Sequence, residues 1–180
     1  MWVNQPEPKG FGNAVLMAQP FVQNESCLVH AGDSAIISEN MDYIKKLIAA
    51  SEKYHADATF LALEIDNPKH YGIVEGTEIE PDIIKVSAVV EKPEKPKTNI
   101  AIMAMYVFQP IIFKALENIT PGKNGEIQLT DGIQKLIDWG LKVYAVKLDK
   151  SYAHLDIGSP ERYWEALELS YKQSCKRNTQ

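Results

Sequence analysis

The apolar run Cys27–Ala31, cut short by Gly32-Asp33, most constrains what this chain can fold into. A short run of this kind reads as a buried strand, and here its C-terminal edge carries a carboxylate. Ligands of open α/β sheets collect at that edge. A helical pattern from Gly12 to about Ala18 precedes the run. Behind Asn40, a good helix cap, Met41, Ile44, Leu47 and Ile48 repeat at helical spacing, and Ala58–Ile65 is β-rich and short enough for an inner strand. The order helix, strand, helix, strand predicts an α/β domain with a mixed sheet.

The rest of the chain continues the alternation. Tyr71–Val74 and Ile83–Val90 read as strands separated by a polar segment containing Gly76 and Pro81, and the second leaves sharply through Glu91-Lys92-Pro93. Ile100–Phe108 is a β-branched and aromatic run; Pro110 then opens a short amphipathic helix through Phe113 and Leu116. Thr130 can cap a helix with Ile133, Leu136 and Ile137 facing inward, and Gly140 stops it. Val143–Leu148 is a further strand. Ser159-Pro160 starts a last helix whose buried face is expected to be Tyr163, Ala166, Leu167 and Tyr171. No repeat or linker divides the chain, so residues 1–174 read as one domain and residues 175–180 as a fraying tail.

Composition narrows the function. A net charge of −5 with no long basic run argues against a nucleic-acid partner. The longest apolar run is too short to cross a bilayer and residues 1–9 hold no signal-peptide core, so a cytoplasmic location is expected. Cys27 and Cys175 lie far apart, without a Cys or His at ligand spacing, and indicate neither a disulfide framework nor a zinc site.

Several polar positions carry possible chemistry. In Gln5-Pro-Glu-Pro-Lys-Gly10-Phe-Gly12 a glycine-punctuated turn runs into a helix and can bring backbone amides close to a ligand. Asp33 and Asp156, the latter in His154-Leu-Asp-Ile-Gly158, stand where a magnesium ion could use one or two carboxylates, or where a turn or cap would use them equally well. Glu91 and Lys92 suit hydroxyl recognition and phosphate neutralisation, or are solvated surface charges.

As an ordered set, Gln5-Pro-Glu-Pro-Lys-Gly10, Gly32-Asp33, Tyr71-Gly72, Val90-Glu91-Lys92-Pro93, Gly125-Glu-Ile-Gln-Leu-Thr130-Asp131 and Leu155-Asp156-Ile157-Gly158 resemble the sugar-phosphate nucleotidylyltransferases over nearly the whole chain. The likeness is strongest to the UTP–glucose-1-phosphate uridylyltransferase branch, with the glucose-1-phosphate thymidylyltransferases next. The resemblance implies a Rossmann-like nucleotide-diphospho-sugar transferase fold. It implies transfer from UTP, or dTTP as the alternative, to a sugar 1-phosphate, with magnesium as cofactor.

By the same resemblance Gln5 hydrogen-bonds the pyrimidine edge and Gly10 lets the backbone approach the base. Asp33 and Asp156 hold the metal, and Tyr71-Gly72 lies against the sugar phosphate. Glu91 binds sugar hydroxyls and Lys92 the sugar's phosphate. Thr130 matches a substrate-site threonine as well as a helix cap. The phosphate nucleophile is already ionised, so His30, His55, His70 and His154 are not required as bases and read as structural or surface residues.

The resemblance has departures. The family's opening strand and its Gly-Thr-Arg phosphate loop have no counterpart, so the chain reads as an N-terminally truncated domain. The isolated chain is then expected to be inactive, with a longer polypeptide, a partner or a homo-oligomer completing it. A non-catalytic nucleotide-sugar-binding or regulatory subunit is the rival reading. Asn124, where thymidylyltransferases commonly carry Arg, favours UTP. No hexapeptide repeat accompanies the domain, which argues against a fused acetyltransferase.

Overall fold

In a computed structural model that describes residues 1–37, 42–122, 125–149 and 151–177, Ile100–Phe108 is the strand shared by two core layers. Alternation explains why. Ala101, Met103, Met105 and Val107 enter one buried cluster, while Ile102, Tyr106 and Phe108 enter another on the opposite face. A strand buried on both faces needs helices on both sides of its sheet, and each large apolar side chain so buried contributes about 2 kcal/mol.

In chain order the elements are α1 (Phe11–Leu16), α2 (Gln19–Val22), β1 (Cys27–His30), β2 (Ser34–Ile37), α3 (Asp42–Tyr54), β3 (Ala58–Glu64), a 3-10 turn at Pro68–His70, β4 (Gly72–Glu80), β5 (Ile83–Glu91), β6 (Ile100–Phe108), α4 (Ile111–Glu117), α5 (Leu129–Asp138), β7 (Val143–Leu148), β8 (Ala153–Asp156) and α6 (Pro160–Arg177). Six strands form a mixed sheet in the order β1-β6-β3-β7-β5-β4, in which β3 and β7 run parallel and the other neighbours antiparallel. Val15 of α1, Ile112, Phe113 and Leu116 of α4, and Ile133 and Leu136 of α5 cover one face. Tyr43, Leu47 and Ala50 of α3 cover the other. Apart from this sheet, β2 and β8 pair as a small antiparallel ribbon in which Ser34 stands opposite Asp156.

Five expectations need correction. Cys27–His30 is an edge strand and not a buried inner one: it pairs with β6, and every second side chain faces outward, leaving Leu28 exposed. The polar segment around Gly76 belongs to β4, whose far half is a solvent-facing hairpin held by the ion pairs Lys97–Glu75, Lys147–Glu78 and Lys53–Glu80. Exposure on both faces removed the apolar alternation that would have marked it. The buried stripe of α3 is Tyr43, Leu47, Ala50 and Ser51, with Ile48 turned outward; Asn40 and Met41 lie outside the described residues. On α6 only Ala166 of the expected face is buried, while Tyr163, Leu167 and Tyr171 are exposed because the helix touches the body through one narrow side against β8. That helix also runs past Ser174 to Arg177.

Candidate active site

The start of β4, the end of β5, the first turn of α5 and the β2–β8 ribbon converge on a cleft of about 610 Å³. Seven of the residues singled out from the sequence line it: Asp33, Tyr71, Gly72, Glu91, Lys92, Thr130 and Asp156.

Glu91 closes β5 directly opposite Gly72 of β4. Thr130 sits inside α5, not at its cap, which is Gln128 without a side-chain cap bond. Its hydroxyl donates to Glu91 Oε2 at 2.7 Å. A Cβ on Gly72 would stand 3.0 Å from Thr130 Oγ1 and 3.3 Å from Glu91 Oε2, so the glycine keeps room for that bond. The local helix-cap explanation of Thr130 thus fails, and its hydroxyl orients a carboxylate in the cleft wall.

Lys92 follows at the exit from β5. Its backbone N–H donates to Tyr71 O at 3.1 Å, and its φ of 42° lies in the left-handed region, which costs a side-chain-bearing residue about 1–2 kcal/mol. The following proline tightens the turn, and the ammonium stands 3.4 Å from Glu91 Oε1. An anion and a cation are therefore presented together at the same wall.

Asp33 and Asp156 meet across the β2–β8 ribbon. The Ile157 N–H donates to Asp33 O at 2.9 Å, which fixes one turn against the other. A Cβ on Gly158 would lie 3.0 Å from Asp156 Oδ1 and 3.6 Å from Asp33 Oδ2; glycine leaves open the space that both carboxylates face. Two carboxylates beside an open polar cleft fit magnesium, which completes its shell with waters and phosphate oxygens. No cluster of three or more His, Cys, Asp or Glu suited to a metal occurs among the described residues.

Gln5 and Gly10 stand outside the cleft wall. The Gln5 amide nitrogen donates to Gly10 O at 3.1 Å and to Asn13 Oδ1 at 2.8 Å, bracing its own turn. Gly10 has a φ of 94°, and a Cβ there would meet Ile127 O at 2.8 Å. Close approach to residues 126–127 already demands this glycine; the chain is tied there by Gly12 N to Ile127 O at 2.9 Å and Ile127 N to Lys9 O at 2.8 Å.

Two cleft residues were not found as such in the sequence. His154, read as structural or surface, is in the wall edge-on to Tyr71 at 6.3 Å between ring centres. Its Nε2 is buried without a hydrogen-bond partner among the described residues, and burial pushes its pKa below the ordinary histidine value against the pull of Asp156. The ring is therefore neutral at pH 7. Arg162, in the first turn of α6, donates to Asp156 Oδ2 and lies over the Tyr71 ring at 5.8 Å. Its only sequence signal is its place two residues after Pro160. The contrast at Asn124 lies outside the described residues.

The residues of a nucleotidyl transferase family model match positions 2–173, and the chain belongs to that family. It is 33% identical to a UTP–glucose-1-phosphate uridylyltransferase of Pseudomonas aeruginosa over 97% of its own length and 63% of that protein. It is 31% identical to a low-salt glycan biosynthesis nucleotidyltransferase of Haloferax volcanii over 99% of its length and 48% of that protein. A crystal structure of UDP-glucose pyrophosphorylase complexed with UDP-glucose superposes with a TM-score of 0.88 at 29% identity, covering 96% of this chain and 66% of the other. The mixed α/β fold is thus that of the nucleotide-diphospho-sugar transferases. The chain spans about half to two thirds of the length of these relatives. Among the described residues no helix is long and apolar enough to cross a membrane.

Proposed function

We propose that the protein serves a UTP–glucose-1-phosphate uridylyltransferase reaction, forming UDP-glucose and pyrophosphate. The observation that carries this reading is the Glu91–Thr130 pair beside Lys92: an oriented acceptor for sugar hydroxyls next to a cation for the sugar's phosphate, facing Asp33 and Asp156 across one cleft. The family and the uridylyltransferase relatives support it.

In the reaction an oxygen of glucose 1-phosphate bonds to the α-phosphorus of UTP while the bond from that phosphorus to the pyrophosphate oxygen breaks. The nucleophile is ionised at neutral pH, so no residue has to remove a proton, in keeping with a neutral His154. Lys92 offsets the repulsion between two approaching phosphates. Glu91, fixed by Thr130, accepts hydrogen bonds from the sugar and holds the attacking phosphate in line. Asp33 and Asp156 would hold a magnesium ion, which when bound would supply positive charge to the phosphates. Gln5 spends its amide donors on Gly10 and Asn13 and keeps Oε1 as an acceptor for the N3–H of a uracil or thymine ring. The same reading puts the protein in the cytoplasm.

Calorimetric titration with UDP-glucose, UTP and dTTP, with and without magnesium, tests the assignment. Saturable UDP-glucose binding that glucose 1-phosphate competes away is expected. A chain that binds none of the uridine ligands contradicts it.

A further inference from the structure

Arg162 reaches the cleft from the first turn of α6, where its backbone N–H donates to Ser159 Oγ at 3.3 Å. Its Nη1 donates to Asp156 Oδ2, and the Gly158 N–H takes the other oxygen, Oδ1, at 2.8 Å. Both oxygens of Asp156 are therefore engaged by the protein. The Asp33 carboxylate, facing the same gap, has no hydrogen-bond or ion-pair partner among the described residues. One carboxylate is neutralised and its neighbour waits for a cation.

We propose that Arg162 is an internal cation that occupies half of the divalent-ion site, holding Asp156 until an ion bridging Asp33 and Asp156 displaces it. The inference rests on the assignment of those two aspartates as the ion-holding pair. It makes Arg162 a positioning residue that acts through Asp156.

The chemistry favours displacement over permanent pairing. The Arg162 side chain is 38% exposed and that of Asp156 22%, so water still screens the pair and leaves it weak enough for a divalent ion to break. Contact with the Tyr71 face, at 5.8 Å from the guanidinium carbon, gives the released side chain a resting place within the cleft. A planar guanidinium lying there still presents several N–H donors to bound phosphate oxygens. The arrangement thus exchanges one cation for another at Asp156 and keeps the first beside the anions that accompany the second.

Arginine as competitor has a signature that a supporting role lacks. Removing a residue that merely braces Asp156 weakens ion binding or leaves it unchanged; removing a competitor strengthens it. The experiment is a titration of the nucleotide-free chain with Mn²⁺, followed by electron paramagnetic resonance of the free ion, on wild type, Arg162→Gln, Arg162→Lys and Asp33→Asn/Arg162→Gln. Arg162→Gln is expected to bind Mn²⁺ about two- to fivefold more tightly than wild type, the range set by a partly exposed ion pair. Arg162→Lys, which keeps the charge, should stay within about twofold of wild type. The double variant should lose the tightened site.

Unchanged or weaker Mn²⁺ binding in Arg162→Gln, with circular dichroism showing the wild-type fold, overturns the proposal. Equal tightening in Arg162→Lys overturns it as well, because charge would not be the cause. Absence of Mn²⁺ binding in every variant, alongside intact UDP-glucose binding, removes the ion site and this proposal with it while the nucleotide-sugar assignment stands. The Mn²⁺ comparison uses no nucleotide, so failure of UDP-glucose binding tells against that assignment alone.

Discussion

Thr130 Oγ1 donates to Glu91 Oε2 at 2.7 Å, joining the first turn of α5 to the last residue of β5. A side-chain hydroxyl inside a helix ordinarily turns to its own backbone or to solvent. Here it fixes a carboxylate that is only 22% exposed in the wall of the cleft. Thr130→Val keeps the shape and removes the donor. UDP-glucose affinity should fall about tenfold, roughly 1.4 kcal/mol, with Thr130→Ser restoring most of it. Calorimetry on the three proteins checks this.

Gly72 should act through the same bond. A Cβ at this position crowds both Thr130 Oγ1 and Glu91 Oε2, so Gly72→Ala should weaken UDP-glucose binding as Thr130→Val does. Residues that act through one bond are not additive. The double variant is expected to be little worse than either single variant, and a full sum of the two losses tells against a shared cause.

Lys92 carries its charge on a left-handed backbone, which gives a comparison between two truncations. Lys92→Gly relieves the conformation that Lys92→Ala retains, so the glycine variant should be the more stable of the two by about 1 kcal/mol. Both lack the ammonium and should lose glucose 1-phosphate competition to a similar degree. Thermal unfolding separates the variants, and the competition titration should not.

Asp131 supplies a pH dependence. Burial, with a smaller contribution from the Glu91 charge, holds its carboxyl above the ordinary aspartate value. The folded chain therefore binds this proton more tightly than the unfolded chain, and stability is lost as pH rises from about 4 through the raised value. Asp131→Asn removes that loss and should raise Tm at pH 7 relative to wild type. The difference should shrink as pH falls below about 4, and melting curves across that range measure it.

What was legible in the sequence was local. Ala58–Glu64, Ile100–Phe108 and Val143–Leu148 carried enough apolar density to mark themselves as central strands, and Glu91-Lys92-Pro93 announced a charged, rigid exit. The β2–β8 ribbon was not legible, because Ser34–Ile37 and Ala153–Asp156 are four-residue strands whose pairing spans most of the chain. That pairing alone brings Asp33 to Asp156. Thr130 was ambiguous for a similar reason: a threonine near a helix start looks like a cap until its partner is seen 39 positions earlier. On α6 an apolar pattern predicted burial, yet periodicity reports only that a helix has an apolar side and not that anything covers it.

The central claim is that the Glu91 wall recognises the sugar of a nucleotide sugar, and calorimetric titration of UDP-glucose into the wild-type chain and Glu91→Gln tests it most directly. The glutamine keeps size and an acceptor oxygen but loses the charge and one acceptor. Wild type should bind UDP-glucose, and Glu91→Gln should bind it at least tenfold more weakly while UDP affinity stays within about twofold. Equal UDP-glucose affinity in the two proteins, or an equal loss for UDP and UDP-glucose, contradicts the account.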